Sequence, residues 1–170
     1  EVAGARVGIL GGDHAARVRL GDPQQPPTVK AGLTRLSWDM RYPGATVFPG
    51  IVIWSARPEN GPLAVPGQYQ VRVTANGVTQ TQPLSIRRNP EYAHVSDADL
   101  KKQFDLAIEI RDRTSEANQA VIDIRDLKTQ IADRLPKSKN TRLKEAGDLL
   151  VKRLAAVEEE IYQVRNRSNQ

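Results

Sequence analysis

Cysteine is missing from this chain, methionine occurs once, histidine twice, and aromatic residues make up only 5% of 170 positions. Without cysteine there can be no disulfide and no thiolate metal ligand, although the redox compartment stays open. A histidine-based metal centre would need His14 and His94 brought together with carboxylates. Both histidines stand instead beside turn or linker sequence. Neither has the context of a Ser-His-Asp set. The apolar runs are a few residues long, far below the roughly 20 that span a bilayer as a helix. The glycine-rich stretch Gly8–Gly12 lacks the Lys-Ser/Thr ending of a phosphate-binding loop and leads into a hairpin pattern rather than a helix. The residues assign no catalytic group, no cofactor and no metal. The chain opens on Glu1 rather than Met, which reads as a piece of a longer protein.

Charge of one sign is not concentrated anywhere. The net charge is +5, but residues 96–170 hold fifteen basic and fourteen acidic side chains in alternation. Alternation of this kind describes a solvated helix face. A nucleic-acid partner would want a basic stripe. Neither nucleic acid nor membrane is expected as a partner.

Glycine and proline are scarce in one half only. Eleven of twelve glycines lie at or before Gly77, and ten of eleven prolines at or before Pro90. The first half is a set of short segments with period two. In Gly32–Ala45, Leu36, Trp38 and Met40 alternate with Arg35, Ser37, Asp39 and Arg41. This predicts a strand with Trp38 in the core and Asp39 and Arg41 on the wet face, stopped at Pro43-Gly44. Tyr69, Val71 and Val73 repeat the pattern before Asn76-Gly77, a hairpin signal. Thr79 and Thr81 suit positions opposite the valines better than Gln80 and Gln82. That choice predicts a three-residue loop with a bulge, and a second shift at Pro83. Ala5–Leu10 and Ala15–Leu20 supply a further hairpin.

Beyond Pro90 the period changes. Ser96 is a candidate N-cap, with Asp97 and Asp99 in the first turn. A 3-4 repeat then runs Leu100, Gln103, Ala107, Ile110, Thr114, Ala117, Val121, Ile124, Lys128, Ile131, Leu135, widened by Phe104, Ile108, Ala120 and Leu127. Leu135-Pro136 ends it. Asn140 or Thr141 can cap a second helix, whose seam reads Leu143, Ala146, Leu150, Leu154, Val157, Ile161, Val164. The expected fold is all-β plus all-α: an immunoglobulin-like antiparallel β-sandwich over residues 1–90, then a long antiparallel helical hairpin over 91–170. Phe104 and Ile108 should rest on the sandwich. The uncovered stripe calls for a further helix or a second copy of the chain.

Two segments carry a resemblance. Gly32, Arg35, Trp38, Asp39, Arg41, Tyr42 and Pro43, followed by Gly61, Pro62, Pro66, Gly67, Tyr69, Val71 and Arg72, resemble a module at the C-terminal end of bacterial exoproteins with BNR (Asp-box) or sortilin-like propeller repeats. These proteins are often labelled glycosyl hydrolases. The helical segment from Asp97 to Ser168 is similar to the tail of that module. The resemblance implies an extracytoplasmic location and a preceding propeller domain as neighbour. It carries no catalytic residue to this chain, because the Asp-box itself is absent. It implies an architectural role, packing against neighbouring domains or self-associating as a homodimer through the helices. The alternative is a carbohydrate-binding accessory module, with Trp54, Trp38 and Tyr42 as stacking groups. Asp39, beside Trp38 and Arg41, is the best single carboxylate for glycosidic chemistry, but the expected arrangement is an outward Asp39 paired with Arg35 or Arg41. Glu158-Glu159-Glu160 reads as a helical surface run.

Overall fold

A computed structural model of the chain describes residues 6–11, 18–19, 35, 37–52 and 56–162. For 6–11 and 18–19 it describes the backbone. Among the described residues there are six strands: β1 (Arg6–Gly11), β2 (Val18–Arg19), β3 (Arg41–Pro43), β4 (Asn60–Leu63), β5 (Gly67–Ala75) and β6 (Val78–Ile86). A short 3-10 turn, Pro90–Tyr92, leads into helix α1 (Asp97–Arg134). A second such turn, Leu135–Lys137, leads to helix α2 (Thr141–Ile161). The chain folds as two compact units. One combines the segment ending at Gly44 with Glu59–Arg111. The other combines Ala45–Pro58 with the segment from Asp112. α1 contributes to both.

In the first unit an antiparallel sheet has the order β2-β1-β5-β6, and β3 and β4 form a separate two-stranded ladder. The expected immunoglobulin-like sandwich is not what forms. Among the described residues the face of β5 and β6 that carries Tyr69, Leu84 and Ile86 packs on Phe104 and Ile108 of α1 and on Tyr42 of β3, so the architecture is mixed α/β. Tyr42, Tyr69, Phe104 and Ile108 make one buried cluster, with Trp38, Val71, Leu84 and Ile86 packed against it. Phe104 and Ile108 come from the first turns of α1 and lie four residues apart, on one helical face. Expected on a sandwich, they pack instead against residues of β3, β5 and β6.

The β5–β6 hairpin corrects a second expectation. Its loop is two residues, Asn76 and Gly77, with φ of 50° and 77°. Both central positions are left-handed, as in a type I′ turn, whose twist matches that of the strands. Val73 therefore faces Gln80, and Val71 faces Gln82. The register continues unbroken through Gln70 and Pro83 to put Tyr69 opposite Leu84. The two-residue loop lets Leu84 and Ile86 share the inward face with Tyr69 and Val71 with no bulge and no second shift. The threonines still pair, Thr74 with Thr79, their hydroxyls 2.9 Å apart.

The stretch before β3 is also not a strand. Asp39 Oδ1 accepts the Arg41 N–H at 3.0 Å, and Met40 has a φ of 59°. This turn places Met40 outward, half-exposed, against the period-two expectation. An aspartate that satisfies a backbone N–H two residues on offers the chain an alternative to a ladder. Gly61 explains the tightness of the β3–β4 ladder. A Cβ there would lie 1.8 Å from the Tyr42 carbonyl oxygen.

The second unit contains the rest of α1, α2 and the segment Ala45–Pro58. Pro49-Gly50 makes a turn closed by the Ile51 N–H donating to Phe48 O, with Gly50 at a φ of 80°. Val121 and Ile124 of α1 are buried. Asn118 is buried too, and its side-chain amide donates to Thr46 O.

The expected helical hairpin, zipped along a leucine seam, is overturned here. Leu143, Leu150 and Val157 are each about half-exposed. The residues of α2 turned away from solvent are Gly147, Val151, Leu154, Ala155 and Glu158. That face is rotated by roughly one residue from the predicted seam, about 100°. Two features fix it. A Cβ at Gly147 would meet Leu135 Cδ1 at 2.6 Å, so a larger residue there would have to push the Leu135 side chain aside. Glu158 pairs with two cations of α1.

Both helices begin where expected. Ser96 Oγ accepts the Asp99 N–H and Asn140 Oδ1 accepts the Leu143 N–H, each satisfying a donor the first turn leaves open.

Candidate functional site

The Pro-Gly-x-Tyr element at the start of β5 has a physical role. The Tyr69 hydroxyl donates to Val65 O at 2.7 Å, tying the Pro66-Gly67 turn to the strand it launches. Tyr42 Oη lies within hydrogen-bonding reach of Tyr69, and its ring sits 4.9 Å from that of Phe104. Burial raises both phenols above their ordinary value, Tyr69 the more strongly because Tyr42 adds to the effect. Trp38 is half-buried, 6.4 Å from Tyr69, and its indole N–H donates to Arg41 O at 3.0 Å.

Of the three candidate stacking groups, then, Tyr42 and Trp38 come together in one apolar cluster. Tyr42 is only 4% exposed. Trp54 lies outside the described residues, as does His14. His94 is exposed, with its ring near Tyr92. Among the described residues no three His, Asp or Glu side chains gather as metal ligands would. Nor is any described helix long and apolar enough to cross a membrane.

Beside this cluster the first unit has a groove of about 600 Å³. Val65, Leu100, Phe104 and Ala107 form its apolar part, and Met40, Leu63 and Tyr92 stand exposed along it. Its charged lining is of one sign: Arg41, Arg87 and Arg88. Arg41 donates to Gly61 O at 2.9 Å. Arg88 donates to Val95 O and lies 3.7 Å from Asp97. Arg87 is exposed and has no partner among the described residues.

No family model, no curated protein and no solved structure matches the chain. The local chemistry is therefore the ground for a functional reading.

The second unit holds what sequence reasoning missed. Glu158 belongs to a triplet expected on the surface, yet it is 8% exposed. Its carboxylate accepts from Arg125 Nε at 2.7 Å and Lys128 Nζ at 3.1 Å. The hydrogen bond from Arg125 leads in holding Glu158 below the usual carboxylate range, against its own burial, with Lys128 adding to the effect. Arg125 also stacks over Phe48, 4.6 Å from the ring centre, and Phe48 meets Tyr162 edge-on at 5.1 Å. The Tyr162 hydroxyl accepts the Val52 N–H at 2.8 Å. One signal was available: Lys128 sits inside the apolar repeat of α1, where a cation needs a partner. The outer side of α2 is different. Leu143, Leu150, Val157 and Ile161 are exposed at heptad spacing, and no described side chain covers them.

Proposed function

We propose that this chain is a non-catalytic structural and interaction module, part of a larger secreted protein with a BNR propeller, that packs on neighbouring domains or pairs with itself through α2. The observation that carries the reading is the exposed heptad stripe Leu143, Leu150, Val157 and Ile161. Scattered apolar side chains on a surface need no explanation, but a continuous stripe on one helix marks an interface. The stripe is also chemically suited to an antiparallel copy of itself. Arg142 stands at its N-terminal end and Glu160 at its C-terminal end. Eighteen residues make five turns, so the two share one azimuth. Reversing the helix sets each opposite the other. The extracytoplasmic location and the propeller neighbour rest on the resemblance of the Gly32–Pro43 and Gly61–Arg72 segments.

Light scattering over a concentration series tests the self-pairing. The expected result is a dimer whose fraction rises with concentration, lost in Leu150→Glu and Val157→Glu. Both side chains are exposed in the monomer, so the fold should survive either change. A chain that stays monomeric at millimolar concentration removes self-pairing. Saturable binding of a polysaccharide would replace the architectural role with carbohydrate recognition.

A further inference from the structure

We propose that the groove of the first unit binds an amphipathic organic anion, an apolar chain ending in a carboxylate. The inference is independent of α2 and of the interaction role. Three observations carry it.

The first is size and composition. A half-open cleft of about 600 Å³ lies within the range of small-molecule sites, roughly 300–1,000 Å³. Its interior is built from Val65, Leu100, Phe104 and Ala107, which would cover an alkyl chain or a ring.

The second is the sign of its charge. Three arginines contribute to the lining and no aspartate or glutamate does. An arginine presents five N–H donors in a planar fork suited to a carboxylate. Arg41 and Arg88 are held by backbone carbonyls, and Arg88 shares its charge with Asp97. Both are positioned rather than consumed. Arg87 has its whole guanidinium available among the described residues, and its neighbour Ile86 also lines the groove. A carboxylate bound to Arg87 would therefore leave its apolar tail lying over Ile86 and Leu100.

The third is the backbone at the rim. Met40 adopts a φ of 59°, costly for a residue with a Cβ, and is thereby held at the groove mouth, half-exposed. Methionine is flexible and polarisable and repacks easily around an apolar guest.

Decanoate is the probe, with decyltrimethylammonium as the same chain bearing the opposite charge. Calorimetry and methyl chemical shifts of Ala64, Ala107 and Leu100 follow binding to the full chain. Decanoate is expected to saturate one site and move those methyls, and the cationic analogue to bind about tenfold more weakly or worse. Arg87→Ala should weaken decanoate by roughly fivefold, the measure of one charge-assisted hydrogen bond at an open site. Arg87→Lys should keep most of the affinity. Gln103→Trp, at an exposed position on the groove wall, should block the cleft without touching the core. Leu150→Glu should leave decanoate binding intact, which separates this site from the α2 stripe. Equal binding of the two amphiphiles overturns the proposal. So does unchanged affinity in Arg87→Ala, or no saturation at millimolar decanoate. Methyl shifts that follow protein concentration rather than decanoate would assign the groove to a second copy of the chain, and overturn it as well.

Discussion

The unit built on the strands buries Tyr42, Tyr69, Phe104 and Ile108, whose polar atoms are two phenols. The unit formed by Ala45–Pro58 and the later helical residues buries Val121 and Ile124 but adds a carboxylate, shielded by a guanidinium and an ammonium, with two aromatic rings alongside. The first is held by removing apolar area from water, at about 2 kcal/mol per large side chain. The second depends on keeping a buried charge paired. The two should therefore fail for different reasons.

The largest effect expected is Gly61→Ala. Its Cβ would overlap the backbone oxygens of Tyr42 and Pro43, so the β3–β4 ladder must open, at about 4 kcal/mol or more. Hydrogen exchange should show the strand unit losing protection while α2 keeps its own. If α2 loses protection equally, the two units are one cooperative block. Phe104→Ala should cost the strand unit about 3–4 kcal/mol in chemical denaturation, since it deletes the ring facing Tyr42. Glu158→Ala should cost the helical unit about 2 kcal/mol, because Arg125 and Lys128 lose their shared acceptor while remaining partly solvated. A loss under half that size would mean that water replaces the carboxylate.

Opposite ends of the pH scale sharpen the contrast. The Glu158 carboxyl is depressed on folding, so its contribution is present above the ordinary glutamate value and disappears as pH falls through the lowered one. The phenols are raised, so their contribution is full below the ordinary tyrosine value near 10 and is lost as pH climbs beyond it. Amide protection factors, corrected for the intrinsic pH dependence of exchange, should fall first in α2 in acid and first in β5 in alkali. The reverse order would contradict both assignments. The smallest effect is Gly147→Ala. Its gain in helix propensity, about 1 kcal/mol, is offset by the push on Leu135. In Leu135→Ala the same change should become stabilising, and a double-mutant cycle without coupling would deny that contact.

Much of the local structure was legible. Ser96 and Asn140 as caps, Leu135-Pro136 as a stop and Phe104 with Ile108 on one buried helical face all follow from short-range chemistry or a single period. For the hairpin, cross-strand propensity and turn geometry point to different loops, and turn geometry wins. Asn76-Gly77 admits the left-handed pair outright, and the turn then set the register. The sandwich is not legible because strand patterning shows that one face is buried but not what covers it. Of the site, the aromatic cluster was half-visible in Trp38 and Tyr42. The groove arginines and Glu158 were not, since their meaning lies in neighbours distant along the chain.

The sequence by itself determined where elements begin, end and change period near Pro90, because caps, turns and side-chain rhythm act over a few residues. The tertiary structure alone decided that α1 packs on β5 and β6, that α2 sets Gly147 against Leu135 and Glu158 against Arg125 and Lys128 while Leu143 and Leu150 stay exposed, and that three arginines share one groove. Those outcomes depend on close approach and on the pairing of buried charge, which are properties of surfaces that meet only after the chain has folded.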